Sequence, residues 1–124
     1  MKIAVAQFQP KDGDKIYNLS IIENLCRKAK SQGADVISFH EMSITAYTYT
    51  KDLNFSEISE LAENIPNGPS ANHLIEISRK YQIPILAGLV EKENENIYNT
   101  YICVYKDEVI AKFSKLHPFI NPHL

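Results

Sequence analysis

The apolar and polar positions of the first forty residues alternate between strand and helix periods. Residues 2–8 form a run rich in β-favouring residues, which predicts a first, buried strand. Apolar residues then recur at helical spacing between Asp14, a suitable N-cap, and Gly33, which ends the helix. Residues 34–39 follow as a second apolar run after a short connection. A strand, a helix and a strand in this order predict parallel pairing, so the chain opens as an α/β fold.

The middle of the chain predicts a loop followed by two helices. Residues 42–53 show neither period and read as a loop. Asn54, with Glu57 three residues later, resembles a capping box at the start of a short helix. Pro69 suits the first position of the next helix, whose apolar residues again share one face.

The last third of the chain predicts three strands joined by hairpins. Residues 83–90 form a buried strand, and polar connections separate it from residues 97–105 and then from residues 109–113. Hairpins join antiparallel strands, whereas the opening unit is parallel. The sequence therefore predicts a mixed sheet with helices outside it.

Composition narrows the class of protein. The 124 residues are 44% hydrophobic and 23% charged, which predicts a single soluble, globular domain. The formal charge of −2 and the absence of a basic cluster argue against nucleic acid as a partner. The longest apolar stretch is far below the roughly 20 residues of a membrane helix. The opening apolar run is also shorter than the roughly seven residues of a signal peptide, so the cytoplasm is the expected location.

The two cysteines are interpreted as structural thiols. Cys26 lies on the apolar face of the first predicted helix, and Cys103 lies inside a predicted strand. Their spacing indicates neither a disulfide framework nor a zinc site. Neither lies at a turn, and reactive cysteines need exposure and nearby positive charge.

Two polar residues follow predicted strands where a ligand crevice would form. Glu41 comes just after the second strand and Lys115 just after the last one. The crevice of an open α/β sheet lies beyond the carboxyl ends of its strands, which favours a functional role. From position alone, however, a residue like Glu41 is more often a solvated loop residue or one that pairs with a neighbouring lysine, and a residue like Lys115 is more often a surface lysine. A metal site built on His40 and Glu41 is a weaker alternative, since no HExxH motif is present.

An ordered series of short motifs strengthens both candidates. The motifs are Ile-Ala-Val-Ala-Gln-Phe at residues 3–8, Gly-Ala-Asp-Val-Ile-Ser-Phe-His-Glu at 33–41, Gly-Leu-Val-Glu at 88–91, Tyr-Asn-Thr at 98–100 and Lys-Phe-Ser-Lys-Leu-His at 112–117. Together they resemble the first part of a carbon–nitrogen hydrolase of the nitrilase superfamily. The resemblance covers the whole chain and only part of the family's domain, so residues 1–124 are expected to form a single, apparently incomplete domain.

The resemblance implies a fold and a chemistry. The fold is the N-terminal part of the family's α-β-β-α sandwich, in which two sheets pack face to face. Glu41 corresponds to the catalytic base and Lys115 to the cation that stabilises developing negative charge. Thr45 and Tyr47 are expected to line the pocket mouth and bind substrate. Glu91 is interpreted as a structural carboxylate, or one that supports the site, at the pocket edge. No cofactor and no metal are implied.

The family's nucleophilic cysteine lies beyond its lysine, and residues 116–124 contain none. The expected activity is hydrolysis of a small amide, carbamoyl compound or nitrile, with the chain alone inactive because the thiolate is missing. The alternative is a non-catalytic homologue that serves as a binding or assembly subunit. A homo-oligomer is expected, and a sandwich lacking its second sheet should leave apolar surface uncovered.

Overall fold

The computed structural model describes residues 1–118 and 120–124, which form one five-stranded sheet with three α-helices. In chain order the elements are β1 (Ile3–Ala6), α1 (Lys15–Ser31), β2 (Val36–Phe39), a 3₁₀ turn (Thr48–Asp52), α2 (Phe55–Leu61), α3 (Pro69–Tyr81), β3 (Ile85–Glu93), β4 (Asn96–Tyr105) and β5 (Glu108–Ser114). The strands follow one another across the sheet in chain order. β1, β2 and β3 are parallel, and β3, β4 and β5 are antiparallel, so the predicted mixed sheet is confirmed.

The helix ends have the capping groups that the sequence indicates. The Asp14 side chain accepts a hydrogen bond from the backbone N–H of Tyr17 at the start of α1. Asn54 and Glu57 form a reciprocal capping box at α2, with both bonds at 2.9 Å. Pro69 occupies the first turn of α3, where its missing N–H costs no helix hydrogen bond.

The main core lies between one face of the sheet and the helices α1 and α3. Side chains alternate between the two faces of a strand, so every second residue of the central strands points into this core. Its fully buried strand residues include Ile37, Ile85, Ala87, Ile102 and Val104. They pack with apolar residues of α1 and α3, which fixes the helices against that face.

The prediction that the first strand is buried is wrong for half of its side chains. Ala4 and Ala6 pack against the main core, whereas Ile3 is 59% and Val5 85% exposed. β1 lies at the edge of the sheet, and no described residue covers its second face. A hydrophobic run alone does not distinguish burial on one face from burial on both.

The second face of the sheet is partly uncovered. At one end, Met42, Ile58, Val90 and Ile97 form a smaller buried cluster beneath α2 and the loop before it. The rest, here called the open face, carries half-buried or exposed side chains of all five strands: Ile3, Val5, Val36, Leu86, Tyr101, Cys103 and Phe113. No helix in the described part of the chain is long and apolar enough to cross a membrane.

Candidate active site

Glu41 is held at the carboxyl end of β2 by a loop that crosses β3. The backbone N–H of Ile44 donates to the Gly88 carbonyl at 3.1 Å, and the N–H of Gly88 donates to Ser43 Oγ at 3.3 Å. A Cβ on Gly88 would lie 2.4 Å from the Met42 nitrogen, so glycine permits this close approach. The loop that delivers Glu41 is therefore anchored directly on the sheet.

Lys115 follows β5 and stays attached to β4. Its backbone N–H donates to the carbonyl oxygen of Asn99 at 2.8 Å, which extends the ladder one residue past the Thr100–Ser114 pair. The side chain of Lys115 therefore starts from a fixed backbone position beside Asn99.

The side chains of Glu41, Lys115 and Asn99 meet at one carboxylate oxygen. Lys115 Nζ donates to Glu41 Oε1 at 2.8 Å, and Asn99 Nδ2 donates to the same oxygen at 2.5 Å. The hydrogen bond to Glu41, more than any other contact, raises the pKa of Lys115 above its ordinary value. Lys115 is therefore held as an ammonium group next to a carboxylate at neutral pH. The two strand ends meet as the sequence interpretation requires, while their catalytic roles stay a prediction.

These polar groups line a cavity of about 450 Å³. Its lining residues are Glu41, Asn99, Lys115, Phe39, Tyr101 and Phe113. The Tyr101 hydroxyl donates to the Phe39 carbonyl and is 2.8 Å from Ser38 Oγ, which fixes the ring across β2 and β4. The cavity thus combines an ion pair with aromatic walls, as small-molecule sites commonly do.

Of the two expected substrate-binding residues, the structure brings Tyr47 close to the ion pair but not Thr45. The ring centroid of Tyr47 is 5.7 Å from Lys115 Nζ, within the range of a cation–π contact. Thr45 is completely buried and lies outside the cavity lining. Its carbonyl accepts from the Gly13 N–H at 2.9 Å, so this part of the loop turns inward, away from the cavity mouth.

Glu91 has the structural role that is one of its two interpretations, but it does not lie at the expected position. Glu91 is 1% exposed and accepts hydrogen bonds from Lys112 Nζ at 2.6 Å and Thr100 Oγ1 at 2.8 Å. Adjacent strand residues point to opposite faces, so Thr100 and Glu91 lie across the sheet from Asn99. Glu91 therefore joins β3, β4 and β5 and is not at the edge of the cavity.

Asn99 is the site residue that the sequence interpretation missed. Its motif, Tyr98-Asn99-Thr100, is visible in the sequence. Asn99 is two residues from Tyr101 on β4, so both side chains point to the same face of the sheet. Its contact with Glu41 depends on the order and register of the strands, which the motif alone does not reveal.

Neither cysteine lines the cavity, and both are poor nucleophiles. Cys26 is completely buried in α1, where burial, with a smaller contribution from Glu23, raises its pKa to about 12. Burial also raises the pKa of Cys103 on β4. Raised pKa values keep both thiols protonated at neutral pH. Within residues 1–118 and 120–124, no group of three or more His, Cys, Asp or Glu residues could hold a metal ion.

Comparison with known proteins identifies a family. Residues 2–123 match the model of the carbon-nitrogen hydrolase family. Over 120 residues the chain is 31% identical to a nitrilase from Pyrococcus abyssi (strain GE5 / Orsay), covering 96% of this chain and 44% of that protein.

Solved structures share the fold. An amidase from Nesterenkonia sp. matches with a TM-score of 0.72 at 19% identity, over 96% of this chain and 44% of that one. The crystal structure of an N-terminal amidase matches with a TM-score of 0.80 at 22% identity, over 96% of this chain and 28% of that one. The chain therefore spans less than half the length of each of these three proteins.

Proposed function

This chain belongs to the carbon–nitrogen hydrolase family, and we propose that its site serves the hydrolysis of a non-peptide carbon–nitrogen bond. The substrate is a small amide, carbamoyl compound or nitrile. The observation that carries this proposal is the contact of Lys115 Nζ with Glu41 Oε1 inside an aromatic-walled cavity. A carboxylate and an ammonium group fixed together supply a base and a charge-stabilising cation.

The proposed reaction has two stages. A cysteine thiol attacks the carbonyl carbon of an amide as Glu41 takes its proton and passes it to the departing nitrogen, which leaves a thioester. A nitrile has no leaving group, so addition of the thiol gives a thioimidate, and one water molecule converts this into the same thioester with release of ammonia. The ammonium group of Lys115 stabilises the negative charge that develops on the attacked group. Glu41 then activates a water molecule, whose attack on the thioester releases the acid and regenerates the thiol.

The nucleophile of this proposal is not one of the two cysteines of the chain. Cys26 is enclosed in α1, and Cys103 is half-buried on the open face outside the cavity lining. We propose that the thiolate comes from sequence following Leu124, as the length of the relatives suggests. The aromatic wall at Phe113, which is 61% exposed, would then be covered by that later sequence.

The second candidate function is a non-catalytic binding or assembly subunit. The open face supports it, since large uncovered apolar surface usually marks an interaction site. On this hypothesis the Glu41–Lys115 pair only holds the ends of β2 and β5 together. The chain then associates through the open face with itself or with another polypeptide.

Two experiments separate these candidates. The first reads the DNA that follows the Leu124 codon for an in-frame cysteine. The second measures ammonia release from simple aliphatic amides and nitriles, by the 124-residue chain and by the polypeptide of the complete reading frame. The hydrolase proposal expects activity from the longer polypeptide and none from the 124 residues alone.

The opposite results are equally informative. A complete reading frame without a further cysteine, and without turnover, would favour the assembly subunit. Turnover by the 124-residue chain that Cys103→Ser abolishes would identify Cys103 as the nucleophile. Turnover that a chelator abolishes would favour a metal hydrolase based on His40 and Glu41.

A further inference from the structure

We propose that Asn99 is the positioning residue of this site, which fixes Glu41 and Lys115 relative to each other and leaves Glu41 Oε2 to take the proton. The inference rests on the proposed function, because the proton belongs to the proposed hydrolysis. Its physical content, a residue that holds the side chain of Glu41 and the backbone of Lys115, can be tested independently of activity.

The clamp consists of two hydrogen bonds of Asn99, one that it donates and one that it accepts. The side-chain amide of Asn99 donates to Glu41 Oε1 at 2.5 Å, and its main-chain carbonyl accepts from the Lys115 N–H at 2.8 Å. Asn99 lies within β4, between β3 and β5, and is 5% exposed. Glu41 and Lys115 are far more accessible, with 42% and 32% of their side chains exposed. The rigid partner of the three is therefore Asn99.

The bonding pattern distinguishes the two oxygens of the Glu41 carboxylate. Oε1 accepts from both Asn99 Nδ2 and Lys115 Nζ, whereas no hydrogen bond from a described residue reaches Oε2. Donors stabilise the negative charge on the oxygen they reach and make it a weaker base. Oε2 keeps its lone pairs for an incoming thiol or water proton.

The side chain at this position must be an amide and not a carboxylate. Asparagine offers an N–H donor without charge, so it can approach Glu41 without competing for Lys115. A carboxylate at position 99 would repel Glu41 and attract the ammonium group of Lys115 away from it. A leucine has nearly the same shape but cannot donate.

The first test measures the clamp itself by NMR in the ¹⁵N-labelled 124-residue chain. One side-chain amide proton of Asn99 is expected to resonate downfield and to lose that shift in Glu41→Ala. In Asn99→Leu, exchange of the Lys115 ammonium protons with water should accelerate about two- to tenfold, the effect of one hydrogen bond. Asn121→Leu is the matched control, since Asn121 is 2% exposed and donates to the carbonyls of Thr50 and Leu53.

The second test measures turnover in the polypeptide of the complete reading frame. We expect Asn99→Leu to lower kcat about tenfold or more with little change in KM, because the lost charge-assisted bond orients the base. Asn99→Asp should lower kcat further, whereas Asn121→Leu should lower stability and keep kcat. If Asn99→Leu does not fold, Asn99→Ser is measured in its place, since serine is too short to reach Glu41.

Failure of the Asn99 inference and failure of the proposed hydrolysis give different results. Unchanged exchange of the Lys115 ammonium protons in a folded Asn99 variant overturns the inference, as does wild-type kcat in that variant. A wild-type polypeptide without turnover overturns the proposed hydrolysis, and the NMR result then still decides whether Asn99 positions the pair.

Discussion

Replacing Gly88 with alanine should destabilise the fold and displace Glu41 at the same time. The new Cβ would lie 2.4 Å from the Met42 nitrogen and 3.2 Å from the Glu41 carbonyl carbon, whereas real Cβ contacts essentially never fall below 3.0 Å. The atoms it meets are backbone, which cannot rotate away as a side chain can. The loop or β3 must therefore move by about 0.6 Å or more.

The size of this effect can be estimated from the contacts that the movement strains. Overpacking of a buried site costs about 1–3 kcal/mol. The hydrogen bonds of Gly88 with Ile44 and Ser43, at 3.1 and 3.3 Å, are strained by the same movement. A loss of about 2 kcal/mol should lower the urea midpoint by roughly 1 M.

Gly33→Ala is the matched control, because it adds the same methyl group where nothing lies within 4 Å. Its φ of +82° costs alanine about 1–2 kcal/mol, with no displacement of the site. We expect both variants to lose stability, but only Gly88→Ala to speed exchange of the Lys115 ammonium protons. A Gly88→Ala variant with wild-type stability and exchange would refute the idea that the Gly88 contact anchors the Glu41 loop.

Four other measurements test separate parts of the structure. Burial opposes ionisation of Glu63, but the hydrogen bonds from Lys15 and Ser70 outweigh it and lower its pKa. That stabilisation is complete above the pKa of Glu63 in the unfolded chain, about 4.3, and is lost as the pH falls through its lower pKa in the folded chain. In Glu63→Gln, the free energy of unfolding measured in urea should therefore fall less steeply on the acid side. Asn54→Ala removes the capping box and should cost about 1 kcal/mol in urea unfolding; an unchanged midpoint would contradict the cap. Cys26 should resist a thiol reagent in the native chain and react once the chain is unfolded in urea, since it is completely buried; rapid native labelling would argue against this packing. The 124-residue chain should associate or bind a hydrophobic dye through its open face, and a dye-free monomer by light scattering would show that the face needs no partner.

The fold was predictable where local signals agree. The capping box at Asn54, the proline at position 69 and the two hairpin connections each specify an element end without reference to the rest of the chain. The exposure of Val5 was not predictable in this way. It depends on β1 being the edge strand and on no residue in the described part of the chain covering that face, which are properties of the assembled sheet.

The same distinction applies to the site. Glu41 and Lys115 could be identified because each follows a predicted strand, where crevices of α/β sheets form, and because each lies in a motif that resembles the family, at residues 33–41 and 112–117. The side chains of Asn99 and Glu91 point to opposite faces of the sheet. Which face each one takes follows from the register of β3 with β4. Thr45 lies in the loop after Glu41, as expected. Its carbonyl accepts a hydrogen bond from the N–H of Gly13, a residue distant in sequence, and its side chain is buried.

Whether Glu41 and Lys115 carry out the hydrolysis is decided by the rate of ammonia release by the polypeptide of the complete reading frame, compared among three charge-removing variants. Glu41→Gln and Lys115→Met should each lower kcat by about 10²-fold or more, as expected when a general base or its cation is lost. Glu23→Gln, which removes the carboxylate of the exposed Lys80–Glu23 pair at 3.2 Å, should leave the rate unchanged. Wild-type turnover in Glu41→Gln would show that Glu41 is not the base and that this site does not carry out the reaction.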